Sequence, residues 1–233
     1  MAGKGGSGEG DDIAFLREAI GSLAMPRLRL LMLLSAILPP AANLFILSNL
    51  PTPDNPDHSS YFAAFAAIVI VHTALAMAIL RILNHSPRPA WSLDWSAGTY
   101  GLVVLCTIAV GLLADSLFDS STILSALANQ IVSTLIIIPF APWLVAIAVE
   151  RPLAWRPAPW FGRLRDWLPA LLLWNFLFLV PADALYRIGF EAWLEAGGKD
   201  DWRFFVFDGI ATAARLFLAL ALASVAYRRV ARV

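Results

Sequence analysis

Two apolar stretches in the C-terminal third of the chain carry charged side chains that could do chemistry. Asp183 lies in the first stretch, and Asp208 and Arg215 lie in the second. Two helical turns separate Asp208 from Arg215, so both lie on one face of a helix, about 10.5 Å apart along its axis. Thr212 lies between them on that face. Charges in an apolar helix are costly, so we expect Arg215 to be neutralised by Asp208, Asp183 or both.

Three neutral polar residues accompany these charges in apolar surroundings. Amides in such stretches usually join helices by hydrogen bonds, and a histidine there is either a neutral bonded group or part of a proton relay. Three interpretations of Arg215 stay open: a structural ion pair, an anion- or proton-coupled site open to one side, and an arginine at a lipid boundary. The predicted intramembrane polar site consists of Arg215, Asp208, Asp183, Thr212, Asn175, Asn43 and His72.

The sequence contains no complete set of residues for catalysis or for metal binding. His58, His72 and His85 fall in separate segments, so they cannot share a haem. The single cysteine, Cys106, excludes an internal disulfide and a Cys-based zinc site. A phosphate-binding loop and a dinucleotide fingerprint are also missing from the sequence. No catalytic residue, cofactor or metal site is therefore predicted.

The composition indicates the setting for these polar residues. Of the 233 residues, 59% are hydrophobic and 15% are charged, and the mean hydropathy is +0.71. Soluble domains have about 45–50% apolar and about 25% charged residues, so the chain is predicted to be an integral membrane protein. The formal net charge is zero, which argues against a nucleic-acid partner.

Six apolar stretches are long enough to cross a bilayer as helices, which takes about 20 residues. The predicted fold class is an all-α polytopic membrane protein with six transmembrane helices and short interfacial helices. Residues 1–12 are predicted to be a flexible tail, and 13–233 a single domain. Prolines predict breaks in the first and fourth spans. The predicted spans are 28–50, 61–83, 98–118, 123–149, 167–188 and 204–227.

Basic residues predict the orientation. In the loops, the tails and the adjoining ends of the spans, 13 Lys and Arg residues lie on the side of the termini and 3 lie on the opposite side. By the positive-inside rule both termini are cytoplasmic. The 15 arginines against 2 lysines are typical of GC-rich bacterial coding. The predicted location is therefore the bacterial inner membrane.

Segments rich in Trp, Leu and Arg precede the outbound spans. We expect 13–24 and 158–166 to lie along the membrane surface as amphipathic helices, and Trp167 to lie at the interface. The similarity of the segments indicates three hairpins built alike, either by internal duplication or by a shared need for interfacial support. Binding of anionic lipid is a third interpretation.

The layout as a whole resembles a known family. The chain contains, in order, a basic amphipathic helix, a span ending near Arg81, a linker with Pro87, Arg88 and Pro89, and a long Pro-containing fourth span. This order over residues 13–227 resembles the bacterial six-span family related to the membrane domain of glycerophosphodiester phosphodiesterases. The resemblance implies a six-helix bundle with a role at the envelope and carries over no catalytic residue.

Three functions remain open at this stage. The first is a non-enzymatic accessory or envelope protein, which would offer a lipid-facing stripe of small residues, such as Gly209 with Ala213 or Ala219 with Ala223, to a partner. The second is a small transporter or lipid-handling protein, which requires a polar cavity reaching Arg215. An enzyme acting on lipid headgroups is third. The predicted partners are membrane lipids and a membrane protein or a second copy of the chain.

The orientation can be tested by cysteine scanning in intact cells. Because the positive-inside rule places both termini in the cytoplasm, an impermeant thiol reagent should label cysteines introduced in 189–201 and spare those in 152–162. Labelling of 152–162 would reverse the topology.

Overall fold

The computed structural model describes residues 9–48, 59–92, 94–117, 122–149, 161–196 and 202–231. Within these ranges the regular elements are all helical. The helices are α1 Glu9–Leu23, α2 Arg29–Ser48, α3 Ser59–Leu83, α4 Trp95–Leu117, α5 Ile123–Ile137, α6 Ala141–Val149, α7 Leu164–Trp174, α8 Val180–Glu195 and α9 Trp202–Ala231.

Six helical segments in the described residues are long and apolar enough to span a membrane, which confirms the predicted all-α, six-span class. The fifth and sixth segments are longer than predicted, because helix continues beyond the apolar run at both ends. The segments are Pro26–Phe45, Phe62–Leu83, Trp95–Ala114, Ile123–Val149, Arg165–Trp193 and Trp202–Ala231.

The two proline-containing spans behave differently. In the fourth span, α5 and α6 are separated by a 3-10 turn, Ile138–Phe140, with Pro139 at its centre, as a residue without a backbone donor predicts. In the first span, α2 continues through Pro39 and Pro40. The predicted break in the first span is therefore wrong.

The N-terminal helix begins earlier than the sequence predicted. Residues 9–12 belong to α1, and the carbonyl oxygen of Asp12 accepts a hydrogen bond of 2.9 Å from Trp174 Nε1. The predicted flexible tail is thus too long, and residues 1–8 lie outside the described ranges. Phe15 is buried beneath the Arg229 guanidinium, 4.8 Å from its ring centroid. Because this contact holds α1 to α9, α1 is part of the bundle; whether it lies along the membrane surface stays a prediction.

The start of the fifth span also differs from expectation. Of the predicted surface helix 158–166, residues 158–160 lie outside the described ranges, and residues from Leu164 onward form the first turn of α7. Trp167, expected at the interface, is fully buried. The reason is that α7 enters the bundle at Leu164, so Trp167 packs among neighbouring helices and not among lipids.

The centre of the bundle is α9, which packs against α1, α2, α3, α6 and α7. Residues 221–227 of this helix are all buried. The contact with α2 is the closest: a Cβ atom placed on Gly209 would lie 2.2 Å from the carbonyl oxygen of Ala36. Glycine is thus required at 209 for the two backbones to approach. This small residue serves the fold of the chain itself, so it offers no surface to a partner helix.

Arg81 organises the end of the bundle that carries the termini. Its side chain is 1% exposed, and its Nε donates to the carbonyl oxygen of Ala148 at 2.9 Å, which is the end of α6. Its Nη1 donates to Ser92 O at 2.6 Å and to Pro89 O at 3.1 Å. One guanidinium therefore joins the ends of α3 and α6 to the segment that leads into α4. A lysine lacks this planar set of donors and could not make the same hydrogen bonds.

An acidic residue completes this cluster. Asp94 forms an ion pair with Arg88 and lies 3.7 Å from Arg81 Nη2. Partial burial favours a higher pKa for the Asp94 carboxyl, but hydrogen bonds from Ser96 and the charges of Arg88 and Arg81 outweigh it. The pKa is therefore held below its ordinary value, and Asp94 stays ionised near neutral pH.

The α2–α9 crossing yields a stability prediction. Gly209→Ala should lower the free energy of unfolding by about 1–3 kcal/mol, because the added methyl group forces the two helices apart. Gly98→Ala is the matched control: a Cβ at Gly98 meets no heavy atom within 4 Å, and this variant should be neutral or slightly more stable. Thermal unfolding in mild detergent measures both, and equal stabilities would contradict the close crossing.

Candidate functional site

An ion pair between the last two spans lies at the centre of the candidate site. Arg215, near the middle of α9, places its Nη1 atom 2.9 Å from Asp183 Oδ1 in the first turn of α8. Their side chains are 23% and 34% exposed, so the pair lies at the edge of a space and is not sealed in the core. The predicted neutralisation of Arg215 by a carboxylate is confirmed, and an arginine facing lipid without a partner is excluded.

Asp208 has a separate set of partners. Its Oδ1 accepts hydrogen bonds from the Tyr186 hydroxyl at 2.5 Å and from Thr212 Oγ1 at 3.0 Å. Asp208 is buried and forms no direct ion pair with Arg215. Of the two carboxylates that the sequence allowed, the structure therefore selects Asp183, because Asp208 lies two helical turns from Arg215 along the same axis.

Tyr186 connects Asp208 to Arg215 and was not among the predicted site residues. Its hydroxyl bonds Asp208, while its ring lies under the Arg215 guanidinium, whose Cζ atom is 3.9 Å from the ring centroid. A cation over an aromatic face is attracted to it, and more strongly where water is scarce. The sequence does contain a signal for Tyr186, because this residue follows Asp183 by three positions and so shares its helical face.

A cavity of about 540 Å³ reaches this group, on the half of the bundle opposite the termini. It lies between α4, α5, α8 and α9, and its volume is ordinary for a small-molecule site. It is lined by Gly111, Asn129, Gln130, Ser133, Ile137, Asp183, Tyr186, Arg187, Phe190, Glu191 and Arg215.

Helix α5 supplies the neutral polar wall of this cavity. Asn129 and Ser133 are one turn apart and buried, and Ser133 Oγ donates to Asn129 Oδ1 at 3.3 Å. Gln130 lies beside them in the lining. These residues were not among the predicted site residues. The signal for them in the sequence is the four-residue spacing of Asn129 and Ser133, which puts both on one face of an apolar helix.

One hydrogen-bond donor of the site lacks a partner. Arg215 Nε is buried, and no described residue accepts a hydrogen bond from it. Buried polar atoms are nearly always hydrogen-bonded, so an open donor beside a cavity requires an explanation. The atom has no accessible surface of its own, so the Arg215 side chain would have to rotate before water or a ligand in the cavity could accept this hydrogen bond.

The charges that line the cavity are balanced. Arg215 pairs with Asp183, and Arg187 Nε lies 3.2 Å from Glu191 Oε1 in a second pair. The described lining thus carries two cations and two carboxylates. Among the described residues no group of three His, Cys, Asp or Glu side chains is placed to hold a metal ion.

His72, the predicted site residue on α3, bonds within its own helix. Its Nδ1 lies 3.1 Å from the carbonyl oxygen of Ile68. Since a carbonyl only accepts, Nδ1 carries the proton and Nε2 is the acceptor of the neutral ring. His72 makes no hydrogen bond or ion pair with Arg215, Asp183 or Asp208, so the structure does not join it directly to the predicted site.

The structure separates the two predicted amides from this group. Asn175, buried in the bundle, donates to the carbonyl oxygen of Leu171 at 2.7 Å and begins a π-helical stretch, Asn175–Leu179. It satisfies its own helix and does not join Arg215. Asn43 is half-buried in α2 and makes no hydrogen bond to the other predicted site residues. Thr212, in contrast, belongs to the site through Asp208.

The Arg215–Asp183 ion pair can be tested by substitutions that remove its charges. Arg215→Leu should lower the free energy of unfolding by up to about 2.5–3.5 kcal/mol, because Asp183 is left unpaired in the membrane unless it takes up a proton. The double variant Arg215→Leu, Asp183→Leu should recover much of this loss, since no lone charge remains. Thermal unfolding in mild detergent measures the difference; a double variant as unstable as the single one would contradict the pairing.

Comparison of the chain with protein-family models, with curated proteins and with solved structures finds no match. The resemblance in layout to the family related to the glycerophosphodiester phosphodiesterase membrane domain therefore stays a prediction, and the function has to be argued from the site itself.

Proposed function

We propose that the protein is a small membrane transporter or lipid-handling protein that binds a polar molecule in the cavity beside Arg215. One observation carries the proposal: a cavity of about 540 Å³ reaches the Arg215–Asp183 pair. A purely structural ion pair gains nothing from such a space, because neighbouring side chains would close over it. The accessory function lacks comparable support, since Gly209 of its expected stripe is packed against Ala36.

The balanced lining favours one class of ligand. A molecule with a net charge would leave an uncompensated charge at membrane depth, which is costly. A zwitterion can place its anionic group on Arg215 and its cationic group on Asp183, replacing one pair by two. The Arg215 side chain, which is 23% exposed and lines the cavity, would then donate to the anionic group. A free zwitterionic solute and the headgroup of a zwitterionic lipid share this chemistry.

Irregular helical segments beside the cavity support a conformational change. The 3-10 turn Ile138–Phe140 directly follows Ile137 of the lining, and the π-helical stretch Asn175–Leu179 ends four residues before Asp183. Interrupted helices next to polar groups are common in transporters, where they bend as the site changes its access.

The proposed location is the bacterial inner membrane with cytoplasmic termini. Support comes from the distribution of arginines: Arg81, Arg88 and Arg228 all lie at the end of the bundle that carries the termini. In this orientation the cavity lies in the outer half of the membrane, as expected of a protein that meets its ligand outside or in the outer leaflet.

Water access to the cavity can be tested by thiol labelling. In a Cys106→Ser background, Ser133→Cys places a thiol in the lining, and Leu135→Cys places one on the outer surface of the same helix, where Leu135 is 49% exposed. A small charged thiol reagent should modify the first and spare the second, because it reacts in water and not in lipid. Protection of both thiols would contradict a water-filled cavity.

Ligand binding can be tested by thermal shift on the purified chain. We expect small zwitterions to raise Tm more than singly charged analogues of the same size, and Asp183→Asn to abolish the shift. Leu185→Ala, a change at an exposed apolar position of the same helix, is the control and should retain it. A larger rise in Tm with a net anion or cation would refute binding of a zwitterion, and absence of any rise would refute the binding site.

A further inference from the structure

A second cavity, of about 520 Å³, lies at the opposite end of the bundle. It lies between the short turn Pro26–Leu28 that begins the first span and the segment that follows α3. Both borders are ends of spans, so the cavity lies at the depth of lipid headgroups. Its polar lining includes Arg27, Arg81, His85 and Arg88, and none of its described lining residues is acidic.

The charge at this cavity is not balanced, unlike that of the first. Asp94 is shared between Arg81 and Arg88, so one carboxylate serves two guanidinium groups. Arg27 and His85 are exposed, and their side chains make no hydrogen bond or ion pair with another described residue. Among the described residues, an excess of positive charge and two available donors therefore face the same space.

The backbone at His85 adds an independent observation. His85 has φ of 50°, the left-handed conformation. It follows the end of α3 in a Schellman arrangement, with His85 N bonded to Ile82 O at 3.2 Å and Ser86 N bonded to Arg81 O at 2.9 Å. Glycine is the usual residue there, and a residue with a Cβ atom generally occupies this conformation at some cost in energy. A histidine held at this position with its side chain on a basic cavity points to a use for the imidazole, since strained residues cluster at ligand sites.

We propose that this cavity binds a phosphate group, with Arg27 and His85 as its direct donors and the Arg81–Arg88 cluster as its fixed positive wall. Arginine donors match phosphate oxygens closely, and basic pockets between membrane helices suit anionic headgroups. The phosphate comes from an anionic phospholipid or from a soluble phosphate compound. The proposal is independent of the function proposed for the first cavity.

The test uses the full chain purified in mild detergent and two substitutions with opposite effects on stability. His85→Gly should raise Tm, because glycine relieves the left-handed backbone, and should still weaken binding of phosphatidylglycerol. Arg27→Gln should weaken it roughly tenfold, as loss of a charged hydrogen bond predicts. Arg29→Gln removes the same charge two residues away, outside the lining, and should leave binding unchanged.

Native mass spectrometry with phosphatidylglycerol, phosphatidylcholine, inorganic phosphate and glycerol 3-phosphate separates the outcomes. Retention of phosphatidylglycerol over phosphatidylcholine, reduced by Arg27→Gln and His85→Gly, supports a lipid phosphate. Equal binding of glycerol 3-phosphate supports a soluble one. Equal losses in Arg27→Gln and Arg29→Gln would reduce the effect to general surface charge and overturn the site. Equal retention of phosphatidylglycerol and phosphatidylcholine, with no binding of inorganic phosphate or glycerol 3-phosphate, would overturn it as well.

Discussion

The carbonyl groups at the ends of membrane helices need donors, and the arrangement of this bundle depends on how arginines supply them. The last carbonyls of a helix have no partner within it, and they carry the negative end of its dipole. Arg81 donates to the end of α6, Arg228 to Leu83 O at the end of α3 at 3.1 Å, and Arg163 to Val230 O at the end of α9 at 3.1 Å. Each cation therefore stabilises a helix other than its own, and three spans that end on the same side are held together there.

Arginine has a different role toward the other end of the bundle, where Arg215 lies. Every nitrogen of the Arg81 guanidinium donates a hydrogen bond, and the residue is 1% exposed, so its role is structural. Arg215 is paired with Asp183 and Tyr186, but its Nε has no partner among the described residues and its side chain, 23% exposed, lines a cavity. The contrast separates a satisfied arginine, which stabilises the fold, from an incompletely satisfied one, which can bind. The contrast agrees with the cavity, which is the observation that places the proposed function at Arg215.

Helix α9 links these two ends. Its buried C-terminal part fits against α1, α3 and α6 near Arg81, and its Gly209 lies against α2 close to Asp208. A displacement of α9 at Gly209 would therefore move Asp208 and, one to two turns further, Arg215. The close α2–α9 contact thus positions the polar site without contributing a side chain to it.

The sequence by itself determined the membrane class, the six spans and the need for a carboxylate beside Arg215, because apolar length and the cost of a lone charge are properties of each segment. Only the tertiary structure decided that the carboxylate is Asp183, that Tyr186 lies under the guanidinium, that α5 walls a cavity, and that Trp167 is buried. These features depend on how each helix is rotated about its axis and on which neighbours it meets. Rotation and pairing are set by packing between residues far apart in the chain, such as Ala36 and Gly209, so no local pattern in the sequence contains them.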